Sequence, residues 1–365
     1  MAYTTIDKPS DYFDTVLYTG NAGTLNITSL DFQPDWIWGK DRSGDRHFLA
    51  DSVRGKKNTG YHLLCSNNNQ ADTSNAPPDG ITAIGSNGFT LGANTSNTDG
   101  GWSFEINESP DSGQGNSGTY VAWNWKAGGS ASNNTDGGIT SSVSVNQDAG
   151  FSIATWTGTG STATIGHGLN AVPKVIITKA RSDAYDWYTY HASIGNTKAI
   201  YLNLTNAESG ASANFWNNTT PTSSVWTAGG NVFNNNYTFV TYSFAEKQGY
   251  SKFGSYTGNN NADGTFVYTG FKPAWIMVKD SSEGSSNWVM FDNKRDGYNQ
   301  QNNHVFSNTS GAEVSSNADY KLDFLSNGFK FRGNSGDING TATYIYMAFA
   351  ENPFVTSTGV PATAR

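Results

Sequence analysis

The chain has 365 residues and a net charge of −8; 13% of it is aromatic and 14% charged, with 41 glycines and one cysteine, Cys65. The length suggests two or three domains, the aromatic content excludes a disordered chain, and a single cysteine excludes an intrachain disulfide or a cysteine zinc site. An acidic chain whose one basic run is Arg54, Lys56 and Lys57 has no electrostatic footprint for nucleic acid, and no apolar run approaches the roughly 20 residues of a membrane span.

In chain order, the opening MAYTTIDKPSDYF is polar, lacks the apolar stretch of a signal peptide, and reads as an arm over residues 1–13. A repeated pattern then begins. An aromatic-Thr-Gly triplet stands at Tyr18-Thr19-Gly20, Trp156-Thr157-Gly158 and Tyr256-Thr257-Gly258. Some way downstream comes a proline followed six residues later by a lysine: Pro34 and Lys40, Pro173 and Lys179, Pro273 and Lys279. Each copy then carries a mixed segment (46–55, 186–195, 287–296) and closes on an aromatic run (119–125, 237–244, 343–349). Three tandem units follow, 14–127, 150–247 and 248–353. The Gly/Ser/Asn-rich stretch 128–149 reads as a linker, and residues 354–365 as a C-terminal arm. Residues 92–118 look like a loop excursion peculiar to the first unit.

Strand formers dominate, and Asn- and Gly-rich turns punctuate them. The expected fold is all-β, with three tandem β-sandwich, jelly-roll-like domains. The segment after each proline should be a central strand, with the proline at its mouth, where the missing N–H costs nothing. Runs such as Trp275–Val278 and Tyr344–Phe349 are apolar on both faces, so neither face can meet bulk water. One face is the unit's own core; a neighbouring unit, a loop or another subunit must cover the other. His191 aligns with Asp51 and Asp292, which marks a polar position at a strand end.

Motifs of catalysis are weak. GNSG occurs at 115–118 and 333–336 without a strand-turn-helix elbow, and GTGSTA at 158–163 is not followed by a helix. The five histidines show no metal spacing, and the NTDGG stretches that could offer calcium oxygens read better as Asx turns. The expectation is a non-enzyme with no cofactor and no metal. Binding chemistry is better represented. Trp102 beside Glu105 and Asn107 combines a stacking face with hydrogen-bonding groups, as a sugar site needs. Trp216 and Trp226, in Asn/Thr/Ser loops, could also stack on a pyranose, or could plug a domain end.

The strings YTGNNNADGTFVYTGFKPAWIMVKD, YVAWNWKAGG, EKQGYSKFGSYTGN, LDFLSNGFKFR and YIYMAFAENPF resemble an uncharacterised domain family that recurs in virion and tail-associated proteins of marine and cyanobacterial phages, often labelled tail fibre. The resemblance implies a phage structural protein, made in the host cytoplasm and residing in the virion, with other virion proteins as partners. It carries no catalytic residues over. The expected function is a tail-fibre or appendage adhesin, homo-oligomeric and binding host-surface polysaccharide. The alternatives are an architectural capsid-decoration, collar or tail protein and, more distantly, a polysaccharide depolymerase.

Overall fold

The computed structural model describes residues 2–72, 80–93, 106–108, 118–233 and 236–362. It is all-β apart from short helical turns. Three main sheets carry the chain, and one four-strand order recurs in each. In the first the strands lie in the order Phe13–Thr19, Thr119–Trp125, Trp36–Asp41, His47–Asp51. In the second they are Phe151–Thr157, Thr238–Phe244, Val175–Ala180, Tyr188–His191. In the third they are Ser251–Thr257, Thr343–Pro353, Phe271–Asp280, Trp288–Asp292. Every neighbouring pair is antiparallel. The segment after each proline is an interior strand, as its doubly apolar pattern requires. Pro34 and Pro173 stand just before their strands. Pro273 instead lies inside its strand, opposite Ala350, where register shifts on either side accommodate the missing donor.

Alternate residues of each main strand enter different cores. On one face, Tyr18, Ile37, Phe48 and Tyr120 pack with Ile27, Ile81, Phe89 and Leu91 of a three-stranded outer sheet. The third main sheet repeats this with Tyr256, Ile276, Phe291 and Tyr344 against Val267, Phe324, Phe329 and Phe331. The second packs Trp156, Ile176 and Phe239 against Ile165, Trp226 and Ala228 of a two-stranded sheet. The architecture is therefore sandwich-like. The other face of all three main sheets enters one common core. Trp36, Trp38, Trp123 and Trp125 from the first meet Ile153, Val175, Tyr242 and Phe244 from the second and Trp275, Met277, Met347 and Phe349 from the third. Trp36 stacks on Tyr242 at 4.4 Å between ring centroids, Trp125 meets Trp275 edge-on at 5.6 Å, and Phe244 meets Phe349 at 5.9 Å. The second apolar face read from the sequence is thus covered by neighbouring sheets of the same chain.

Three expectations change. Residues 128–149 are not a free connector: Ser132–Asn134 and Ser141–Asn146 extend the second main sheet beyond Phe151–Thr157. Ser141, Val143 and Ser144 point into protein, and the Gly/Ser/Asn composition masked that pattern. The arms also close on their own chain. Tyr3 Oη donates to Gly270 O at 2.7 Å, Thr4 Oγ1 to Gln248 O at 2.8 Å, and Ile6 is buried in the common core. Asp7 holds the C-terminal arm by accepting from the Ser357 amide at 2.6 Å. Finally, the 92–118 excursion is not wholly peculiar to the first unit. Tyr18 Oη donates to Ile106 O and Tyr256 Oη to Ile338 O. The amides of Glu108 and Gly340 both donate to a tyrosine hydroxyl, Tyr120 and Tyr344. Residues 106–108 therefore correspond to 338–340. The glycine of the aromatic-Thr-Gly triplet is explained by the same contact: a Cβ at Gly20 would lie 2.1 Å from Glu108 O, and one at Gly258 2.0 Å from Gly340 O.

Candidate functional site

Where the main sheets meet, equivalent residues make equivalent bonds in cyclic order. At the outer end of each seam a ring nitrogen from one sheet reaches a carbonyl of the next unit. Trp187 Nε1 donates to Cys65 O at 2.8 Å, Trp288 Nε1 to Tyr201 O at 2.9 Å, and His47 Nε2 meets Phe306 O at 3.0 Å. His47 Nδ1 accepts from Trp38 Nε1 at 2.9 Å, so its proton sits on Nε2 and the third bond has the sense of the other two. A backbone bond accompanies each: Asp72 N to Arg181 O, Glu208 N to Ser281 O and Glu313 N to Arg42 O, at 2.7, 2.9 and 2.8 Å. The ring of contacts runs from unit two to one, one to three, and three to two.

The polar strand-end position lies at the centre of each seam. Asp51 accepts from Tyr242 Oη of the second sheet at 2.7 Å and from Arg54 Nε at 2.5 Å. Arg54 continues to Asp72 at 2.9 Å, and Arg181 of the second unit closes on Asp72 at 3.0 Å. The seam between units one and three repeats the device. Asp292 accepts from Trp123 Nε1 at 3.0 Å and from Arg295 Nε at 2.6 Å; Arg295 reaches Glu313 at 3.1 Å, which Arg42 grips with both Nε and Nη2. Asp51, Arg54, Asp292 and Arg295 are fully shielded at their side chains. Burial works to raise the Asp51 pKa, but the Arg54 charge and the hydrogen bonds from Arg54 and Tyr242 hold it below the ordinary value.

At the third seam the strand-end position is neutral. Met347 occupies the place of Trp123 and Tyr242, so no ring donor faces the strand end, and a carboxylate there would be left bare. His191 stands in its stead. Its Nδ1 accepts from the Ser193 amide, and Nε2 donates to Tyr346 O at 3.2 Å. Burial pushes its pKa down to about 4. The arginine position is Ile194, packed against the common core.

The lysines of the repeat are buried at the same strand ends. Lys40, Lys179 and Lys279 donate to the carbonyls of Asp41, Ala180 and Asp280 at 2.6, 2.6 and 2.8 Å. Burial lowers Lys40 and Lys279 to about 8 and Lys179 to about 7, against the pull of nearby carboxylates. Among the described residues no group of three or more His, Cys, Asp or Glu is placed to hold a metal ion.

Of the residues singled out for sugar stacking, only Asn107, Trp216 and Trp226 are described, and all three are buried. Trp102 and Glu105 lie outside the described residues. Asn107 is buried and structural: its Nδ2 donates to Gly23 O and Gly92 O at 2.6 and 2.8 Å, and its Oδ1 accepts from Asn21 N. Asn339 serves the third unit in the same way. Trp216 and Trp226 are each 1% exposed and pack on one another and on Phe233. They plug the outer core of the second unit and offer no face to a pyranose. What the sequence reading missed was the seam itself. Its signal was present in Asp51-x-x-Arg54 and Asp292-x-x-Arg295 set against His191-x-x-Ile194.

A family profile described as Domain of unknown function (DUF7483) matches residues 8–353. The chain belongs to that family. The match takes in all three main sheets and ends where the strand Thr343–Pro353 ends, so the family profile covers the three-sheet body and not a single repeat. Comparison with curated proteins and with solved structures returns no significant match.

Proposed function

We propose that the chain is a structural protein of a phage virion, a tail-fibre or appendage component, built as three tandem β-sandwich units fused into one block that presents a glycan-binding surface to the host. The observation that carries this reading is the closed ring of seams around one common core. Such a block keeps its outer loops in fixed mutual positions, which is what multivalent attachment through individually weak contacts needs. The resemblance to tail-associated phage proteins supplies the setting. A second reading, an architectural decoration or collar protein, draws on the burial of Trp216 and Trp226, which removes two of the expected sugar platforms. Mass spectrometry of purified particles, with antibody labelling in electron micrographs, tests both. Label at the distal end of a tail or fibre supports the appendage. Label across the capsid or at the collar selects the architectural reading. Absence from the particle overturns the virion assignment.

A further inference from the structure

The third unit holds a polar cavity that the shared fold does not require. It has a volume of about 350 Å³ and lies between the loop after Trp288–Asp292 and the end of Thr343–Pro353, within the size range of small-molecule sites, roughly 300–1,000 Å³. Lys272, Asn293, Tyr298, Asn299, Gln301 and Glu351 line it. Tyr298 stands at its mouth, 78% exposed, the most exposed large apolar side chain among the described residues. Gln301 is 2% exposed; its Nε2 donates to Tyr298 O at 3.1 Å, and its Oε1 has no partner. Asn293 is similar: Nδ2 donates to Glu351 Oε2 at 2.8 Å, while Oδ1 has none. Both oxygens are closed to solvent, so the open polar groups of the cavity are the Lys272 ammonium and the Glu351 carboxylate, each about a third exposed.

The first unit lacks these groups. It has the same loop between the same strands, and the strand register places Gln33, Ser52, Lys57, Gly60 and Ala127 where the third has Lys272, Asn293, Tyr298, Gln301 and Glu351. The fold stands without the aromatic, the lysine and the acid. The third unit alone combines them.

We propose that this cavity binds a neutral pyranose, as a terminal or branch unit of a polysaccharide; the inference rests on the glycan-binding appendage reading and gives that reading its site. Tyr298 supplies the stacking face. The Glu351 carboxylate accepts from sugar hydroxyls and the Lys272 ammonium donates to them, hydroxyls being donors and acceptors at once. Lys272 and Glu351 pair at 2.9 Å, so their charges offset each other. Lys294 lies 3.6 Å from Asp14. The cavity thus favours an uncharged polyol. A sugar carboxylate would face Glu351, with Lys272 already paired.

The test uses the full chain and ligand-observed saturation-transfer NMR, with the methyl glycosides of glucose, galactose and mannose at millimolar concentration and with glucuronate. Transfer to at least one neutral glycoside is expected, weakened about tenfold in Tyr298→Ala, and weakened also in Glu351→Ala. The thermal midpoint of Tyr298→Ala should equal that of the parent, because the side chain is exposed. Silence towards all three neutral glycosides overturns the proposal, as does transfer unchanged by Tyr298→Ala or a preference for glucuronate. Failure here is separable from failure of the virion reading. A chain found in particles but silent towards sugars loses only the site, whereas a chain that binds sugar but is absent from particles keeps the site and loses the virion role.

Discussion

The seams centred on Asp51 and Asp292 and the seam centred on His191 solve one problem in two ways. All three bury a polar strand end against a neighbouring sheet. Where the neighbour offers an aromatic donor, Tyr242 or Trp123, the strand ends in aspartate and an arginine three residues on neutralises it. Where the neighbour offers Met347, the strand ends in a neutral histidine and the arginine becomes isoleucine. The three positions change together because a buried carboxylate needs both its donor and its counter-ion, and losing either leaves a charge in a dry interior. The strand order and the accompanying backbone bond recur in all three, while the polar contact at the strand end is exchanged.

The largest way to break this comparison is to remove an arginine. Arg54→Ala and Arg295→Ala should each cost about 3–5 kcal/mol, because the buried carboxylate of Asp51, or of Asp292, loses its counter-ion. Ile194→Ala at the equivalent position should cost only about 1–2 kcal/mol, an apolar loss at a half-buried site. Urea unfolding of the three variants measures the contrast, and equal costs would remove the distinction between the seams.

Acid should then act through the buried histidines of two seams, His191 and His47, both lowered by burial. His191 takes its proton near pH 6.5 when unfolded and near 4 when folded. Between those values the unfolded chain binds more protons, so stability falls as pH falls through that window and levels off below it. The loss from His191 is about 3 kcal/mol for a shift of that size. His304, also lowered to about 4 by burial, adds to the slope. His191→Asn should flatten the dependence by one proton's worth. An unchanged slope would mean that His191 is charged in the fold.

A smaller effect separates donor from charge. Tyr242→Phe keeps the ring stacked on Trp36 but removes the bond to Asp51, and should cost about 1.5–3 kcal/mol. Its cost should shrink to that of a neutral hydrogen bond, about 1 kcal/mol, in an Asp51→Asn, Arg54→Met background if the hydroxyl acts through the carboxylate, which a double-mutant cycle reads. The smallest expected effect is Tyr298→Ala, within about 0.5 kcal/mol of the parent, as for an exposed side chain outside the cores.

Much of this was legible in the sequence, for physical reasons. The repeats showed through the proline, lysine and aromatic spacing because each marks a strand end or a core position. The doubly apolar strands announced a covered second face, though not what covers it, since composition cannot distinguish a neighbouring repeat from another subunit. The seam chemistry was visible only as the alignment of Asp51, His191 and Asp292. Its partners Tyr242, Trp123 and Met347 are distant in sequence, so the reason for the exchange needed the fold. The correspondence of Ile106-Asn107 with Ile338-Asn339 was too short to stand out among Gly- and Ser-rich residues. Trp216 and Trp226 look the same in sequence whether they plug a core or face a ligand. The polar cavity was hidden because it needs the third unit's loop and strand end brought together.

The central claim is that three repeats share one core and behave as one body, and scanning calorimetry of the full chain tests it most directly. One transition is predicted, with a calorimetric enthalpy equal to the van't Hoff enthalpy, since no main sheet can leave without exposing the inner faces of the other two. Two or three resolved transitions, or a calorimetric enthalpy about three times the van't Hoff value, would show that the units unfold independently and would contradict the account.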